Sequence, residues 1–160
     1  MPKPLWAPWR LEYVAQADEQ VGCPFCAEAA GEVDESLVVH RGVTAFVLLN
    51  KFPYSSGHLL VAPFAHTGEL EALGDETALE VHRLGLQGLE ALRVSYKPDG
   101  FNLGWNLGRA AGAGIVDHVH LHVVPRWAGD TSFMPVLADT KVLPEHLLAT
   151  RDRLRDAWPN

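Results

Sequence analysis

Cysteine is scarce: 160 residues contain two, Cys23 and Cys26, which excludes a multi-disulfide framework. Basic residues are also few, 13 Lys and Arg against 20 Asp and Glu, for a formal charge of −7. That balance argues against a general binder of long nucleic acids, which needs clustered cations to displace counterions. No run of about 18 apolar residues is available to span a bilayer, and the opening segment lacks the apolar stretch of a signal peptide. The expectation is a cytoplasmic protein with neither a membrane nor a nucleic-acid polymer as partner. What is present suffices for one buried core, since 48% of the residues are hydrophobic. Eight His and five Trp are the unusual contents.

Along the chain, residues 1–22 read as an N-terminal arm, 23–130 as the folded domain and 131–160 as a C-terminal extension. Residues 36–40 and 44–49 are strand-like and flank Arg41-Gly42-Val43, a hairpin pattern. A turn-rich loop over 50–57 leads into an extended apolar stretch over 58–63. From 75 to 96 the period changes: Ala78, Val81, Leu84, Leu89 and Leu92 mark one amphipathic helix closed by Pro98-Asp99-Gly100. Gly85 and Gly88 inside it weaken helix propensity and suit close packing on a sheet. Strands are expected over 101–107 and 118–125, a small-residue loop over 108–114, and a short terminal helix over 144–158. Strands, one long helix and hairpin connections predict an α+β domain with a mainly antiparallel sheet.

Side chains alternate across a strand, so His118, His120 and His122 share one face while Val119, Leu121 and Val123 face the core. A row of three imidazoles beside a glycine-rich loop marks a functional site rather than packing. Two chemistries fit. Adjacent imidazoles bind metal ions. Alternatively, a neutral imidazole whose other nitrogen donates to a backbone carbonyl attacks phosphorus, while N–H groups of Gly112, Ala113 and Gly114 hold phosphate oxygens. Cys23-Pro24-Phe25-Cys26 reads as a metal half-site, a redox pair or two inert thiols.

The run His118-Val119-His120-Leu121-His122-Val123-Val124 resembles the motif of the histidine triad (HIT) family, three histidines alternating with apolar residues. Phe46 to Asn50, and Ser56-Gly57-His58 continuing to Pro63, resemble the same family at the expected separation. Similarity extends over residues 23–127, and the segments around Asn106 and Trp127 resemble its bacterial branch of diadenosine tetraphosphate phosphorylases and hydrolases. The resemblance implies nucleotidyl hydrolases or transferases that dimerise through a sheet edge. It implies His120 as nucleophile on the α-phosphorus, with His118, His122 and His58 around the phosphate. Asn50 would bond the ribose, and Asn106 the phosphate or leaving group. Zinc-containing relatives imply a structural zinc held by Cys23, Cys26, His66 and His118. Ala113, Gly114 and Ile115 replace bulkier polar residues of the family loop, which leaves room for inorganic phosphate as acceptor. Purine nucleoside phosphoramidate hydrolysis and a nucleotide-binding signalling module are the alternative activities.

Overall fold

Five strands, three α-helices and two short 3-10 turns make up the computed structural model, which describes residues 22–130 and 145–160. The order is α1 (Pro24–Ala30), β1 (Val38–Arg41), β2 (Ala45–Leu49), β3 (Leu59–Pro63), α2 (Gly74–Tyr96), β4 (Gly100–Trp105), β5 (Leu121–Arg126) and α3 (Leu147–Asp156). The strands form one antiparallel sheet in the order β1-β2-β3-β5-β4. The expected α+β architecture is therefore present. The expected arm before Gly22, and the start of the extension up to residue 144, lie outside the described residues.

Helix α2 covers one face of the sheet. Its Val81, Leu84, Ala91 and Leu92 meet Val47, Leu49, Leu59, Val61, Leu121 and Val123 in one buried cluster. Burying each Leu or Val there contributes about 1.5–3 kcal/mol. Gly85 and Gly88 of α2 face this contact: a Cβ on Gly85 would lie 3.2 Å from Leu121, and one on Gly88 3.0 Å from Leu59. Their absence of side chain sets how closely helix and sheet approach. Pro98 stops the helix, with Lys97 in the left-handed conformation.

Helix α3 extends the same layer. Leu154 is buried in the cluster, Arg151 donates to the Ser36 carbonyl and Arg155 to that of Val38. Trp158 stacks on His40 at 5.0 Å, which gives that histidine a packing role. His146 caps α3 by accepting from the Leu148 N–H. Tyr96 donates its hydroxyl to Glu145; burial and this carboxylate push the phenol up to about 12.

The opposite face of the sheet carries Val38, Phe46, Leu48, Leu60 and Ala62, covered by Phe25 of α1. Helix α1 is a departure from the sequence reading, which treated Cys23 and Cys26 only as a motif. Proline in its first turn and Gly31 in the left-handed conformation beyond its end are helix boundary signals. A second departure concerns β5, which starts at Leu121 rather than His118. Its neighbour β3 ends at Pro63, whose missing N–H cannot extend the ladder. Residues 118–120 run on outside it, and Val119 donates instead to the Thr67 carbonyl at 2.8 Å.

Candidate active site

The three motif histidines are buried on the side of the sheet away from α2, and they are used differently. His120 Nδ1 lies 2.9 Å from the carbonyl oxygen of His118. A carbonyl only accepts, so Nδ1 carries the proton and the lone pair sits on Nε2. Burial holds the ring below its ordinary pKa, more than the carbonyl contact opposes, and nearby His118 adds to the lowering. The result is a neutral imidazole with a defined nucleophilic nitrogen.

His122 is set by a chain of bonds that begins in the loop between β2 and β3. The Tyr54 N–H donates to His58 Nδ1 at 3.0 Å, and the Asn50 amide lies 3.4 Å from the same atom. Because a backbone N–H only donates, His58 Nδ1 is the acceptor and its Nε2 bears hydrogen. That Nε2 is 3.0 Å from His122 Nδ1, which accepts and leaves His122 Nε2 as an N–H. Asn106 Nδ2 is placed 3.4 Å from this nitrogen; two N–H donors do not bond, so with this tautomer the amide is turned over and its oxygen accepts. Thus a lone pair on His120 and a donor on His122 lie side by side, with ring centres 4.9 Å apart.

His118 turns the other way. Its Nε2 donates to the Pro63 carbonyl at 2.8 Å, and its Nδ1 lies 3.3 Å from Cys23 Sγ and 3.8 Å from Cys26 Sγ. Cys26 Sγ is also 3.3 Å from His66 Nδ1, and the four candidate ligand atoms fall within 4.8 Å of one another. A tetrahedral zinc with bonds of about 2.0–2.3 Å spaces its ligands about 3.3–3.8 Å apart. The donor set therefore fits zinc, and the bond to Pro63 orients His118 as a neighbouring carbonyl orients a metal-bound imidazole. Burial and the adjacent Cys23 push the Cys26 thiol up. With both nitrogens of His118 committed on this side, the expected place for it beside a phosphate is not what the geometry offers.

Comparison with known proteins gives these histidines a family context. The family model described as HIT domain matches residues 30–129. This chain belongs to the HIT family. A protein named AP-4-A phosphorylase from Mycobacterium tuberculosis is 36% identical over 162 residues, spanning 96% of this chain and 83% of its own length. A Zn-bound histidine triad family protein from Mycobacterium smegmatis superposes with a TM-score of 0.70 at 31% identity, covering 85% of this chain and 92% of that one. A HIT family member from Bacillus subtilis gives 0.63 at 28% identity, over 79% and 84% of the two chains.

Within this HIT site the loop expected to hold phosphate departs from that reading. Residues 109–111 form a 3-10 turn. The Gly112 N–H donates to the Arg109 carbonyl at 2.9 Å and the Ala113 N–H to the Gly108 carbonyl at 3.2 Å. Those two N–H groups stabilise the loop itself and are not presented to a phosphate in this conformation. Arg126 likewise makes a bidentate pair with Asp130 and donates to Asn102, so its charge is answered locally. Two aromatic residues escaped the sequence reading as parts of the site. Phe25, 2% exposed, packs on both His118 and His120; Tyr54 packs on His58 and His122. A helix-start signal at Pro24 was the available clue for the first, and none pointed to the second.

Proposed function

We propose that this HIT protein is an enzyme that cleaves dinucleoside polyphosphates, diadenosine tetraphosphate foremost, by two displacements at one phosphorus. The observation that carries the reading is the bond from His120 Nδ1 to the His118 carbonyl, which leaves Nε2 free of hydrogen. His120 Nε2 forms a bond to the α-phosphorus while the bridging P–O bond breaks. The departing nucleotide takes the proton on His122 Nε2. As the ring becomes cationic, the His118 carbonyl faces its Nδ1–H and stabilises the charge. In the second step the acceptor oxygen attacks phosphorus, the P–N bond breaks and the acceptor's proton returns to His122. Water as acceptor gives AMP, and inorganic phosphate gives ADP.

The name and identity of the Mycobacterium tuberculosis relative support phosphate as the acceptor, as does the small side chain of Ala113 in the loop. Asn50 and Asn106 are assigned the ribose and the phosphate side. Cys23, Cys26, His66 and His118 are assigned a structural zinc, a closed set with no open position for substrate. The outer edge of β4, where Leu103 is 46% exposed, is assigned to pairing with a second copy, and the cytoplasm is the expected location.

Separation of the nucleotide products with and without inorganic phosphate tests the reaction. ADP plus ATP in the presence of phosphate is expected. AMP plus ATP under both conditions would remove phosphate as acceptor, and tight nucleotide binding without turnover would leave a binding module.

A further inference from the structure

The loop between β2 and β3 supplies the bond that sets His58, and one side chain fastens that loop to the strand of the triad. Within the loop the Asn50 side chain accepts from the Phe52 N–H at 2.9 Å, the His58 N–H donates to the Ser55 carbonyl at 3.1 Å, and the Asn50 N–H donates to the His58 carbonyl at 2.9 Å. These three bonds shape the turn without reaching β5. The Ser55 hydroxyl does reach it, donating to the Pro125 carbonyl at 2.7 Å. Pro125 belongs to β5, the strand that carries His122. The ladder between β3 and β5 stops short of this point, since its last pair at this end is Leu59 with Val123. Gly57 is in the left-handed conformation, and a Cβ there would lie 2.8 Å from Leu92 and 3.7 Å from Pro125. The turn is thus pressed against α2 and β5, and Ser55 is the hydrogen bond that ties it to β5 beyond the ladder.

We propose that Ser55 is a positioning residue for the hydrogen on His122 Nε2. Its effect on turnover rests on the reaction proposed above, in which that nitrogen gives its proton to the departing nucleotide. The path is short. Ser55 holds the loop to β5, the adjoining Tyr54 N–H stays on His58 Nδ1 at 3.0 Å, His58 keeps its hydrogen on Nε2, and that N–H meets His122 Nδ1 at 3.0 Å. Which nitrogen of a neutral imidazole holds the hydrogen is set by the bond the other one makes, and such a bond weakens steeply once it is misaligned. Without the Ser55 hydroxyl the Tyr54 N–H loses its fixed direction, and a second tautomer opens to His58 and, through it, to His122. His120 stands outside this path, because the His118 carbonyl holds its hydrogen. Ser55 acts through Tyr54 and His58 rather than on the substrate.

The test reads the tautomers directly. Long-range proton–nitrogen NMR of the full chain, made with isotope-labelled histidine and assigned with single-histidine variants, separates a ring nitrogen that bears hydrogen from one that does not. In wild type at neutral pH, His58 and His122 are expected to carry hydrogen on Nε2 and His120 on Nδ1. In S55A the His58 and His122 signals are expected to move toward a mixture of the two forms while His120 keeps its pattern. S55T, which restores the hydroxyl, is expected to restore the wild-type pattern. In parallel, kcat of S55A on diadenosine tetraphosphate is expected to fall about tenfold, part of the roughly hundredfold or more that a positioned acid contributes, with KM within about twofold. If S55A does not fold, as judged by its thermal melt, S55V, which matches S55T in shape but lacks the hydroxyl, takes its place. Hydrogen on His122 Nδ1 in wild type, or tautomers unchanged in the variant without the hydroxyl, would overturn the role of Ser55. Tautomers that move with no loss of kcat, or wild type that does not cleave diadenosine tetraphosphate, would instead overturn the reaction and leave the positioning in place.

Discussion

A histidine becomes a nucleophile when its surroundings decide which nitrogen keeps the proton. For His120, the proposed nucleophile, one carbonyl does this, and the replacement H120G removes that nitrogen without touching the sheet ladder, which begins at the next residue. Turnover is expected to fall at least about a thousandfold, as when an attacking group is lost in other covalent enzymes, while mononucleotide affinity measured by calorimetry stays within a few fold. Retained turnover would show that another group attacks. At this scale the sequence was informative about which residues matter and not about which way they face. Alternation places His118, His120 and His122 together. Yet His118 is drawn to the cysteines and to the Pro63 carbonyl, contacts over 95 and 55 residues of chain that no local pattern encodes.

The hairpin between β1 and β2 is held by an element distant in sequence. Glu80 of α2 accepts from the N–H groups of Val43 and Thr44 and from the Thr44 hydroxyl. Burial alone would raise this carboxyl, but the hydrogen bonds from Thr44, Val43 and Ala45 outweigh it and hold the pKa below the ordinary value. A depressed carboxyl contributes stability that is fully present above its unfolded pKa and is lost as pH falls through its folded pKa. E80Q is therefore expected to melt a few degrees below wild type at neutral pH, for a loss of about 1 kcal/mol. The gap should narrow as pH falls below the ordinary glutamate range and close once pH is below the depressed folded pKa, where wild type is protonated too. Equal melting temperatures at neutral pH would show that the charge adds nothing. The hairpin and α2 were legible from period and turn residues, whereas Glu80 as their link depends on where the helix lies across the sheet.

Across the whole molecule, the cysteine and histidine set joins α1, the segment after β3 and the entry to β5, at positions 23, 26, 66 and 118. An ion there would close long loops and fasten Phe25 over His120. The purified protein is expected to contain one zinc per chain, and removal by a strong chelator to lower the melting temperature by at least about 5 °C. Protein free of zinc that melts at the same temperature would reject the site. The edge strand β4 poses the matching question of assembly, because an open strand edge is a template for another chain. L103K should lower the mass measured by light scattering from two copies to one. An unchanged mass would move the contact elsewhere.

The sequence by itself determined the antiparallel α+β class, the long helix and the identity of the histidines and cysteines, because periodicity and short motifs act over a few residues. It also carried the family, through a spacing of apolar residues and histidines that residues 30–129 match. Only the tertiary structure decided the tautomers of His58, His120 and His122, the division of the triad between two sides, the internal bonding of the loop over 108–113 and the place of Tyr54. Each of these depends on a hydrogen-bond partner or a ring supplied by another element. Such partners meet only when the sheet order β1-β2-β3-β5-β4 brings β3 against β5.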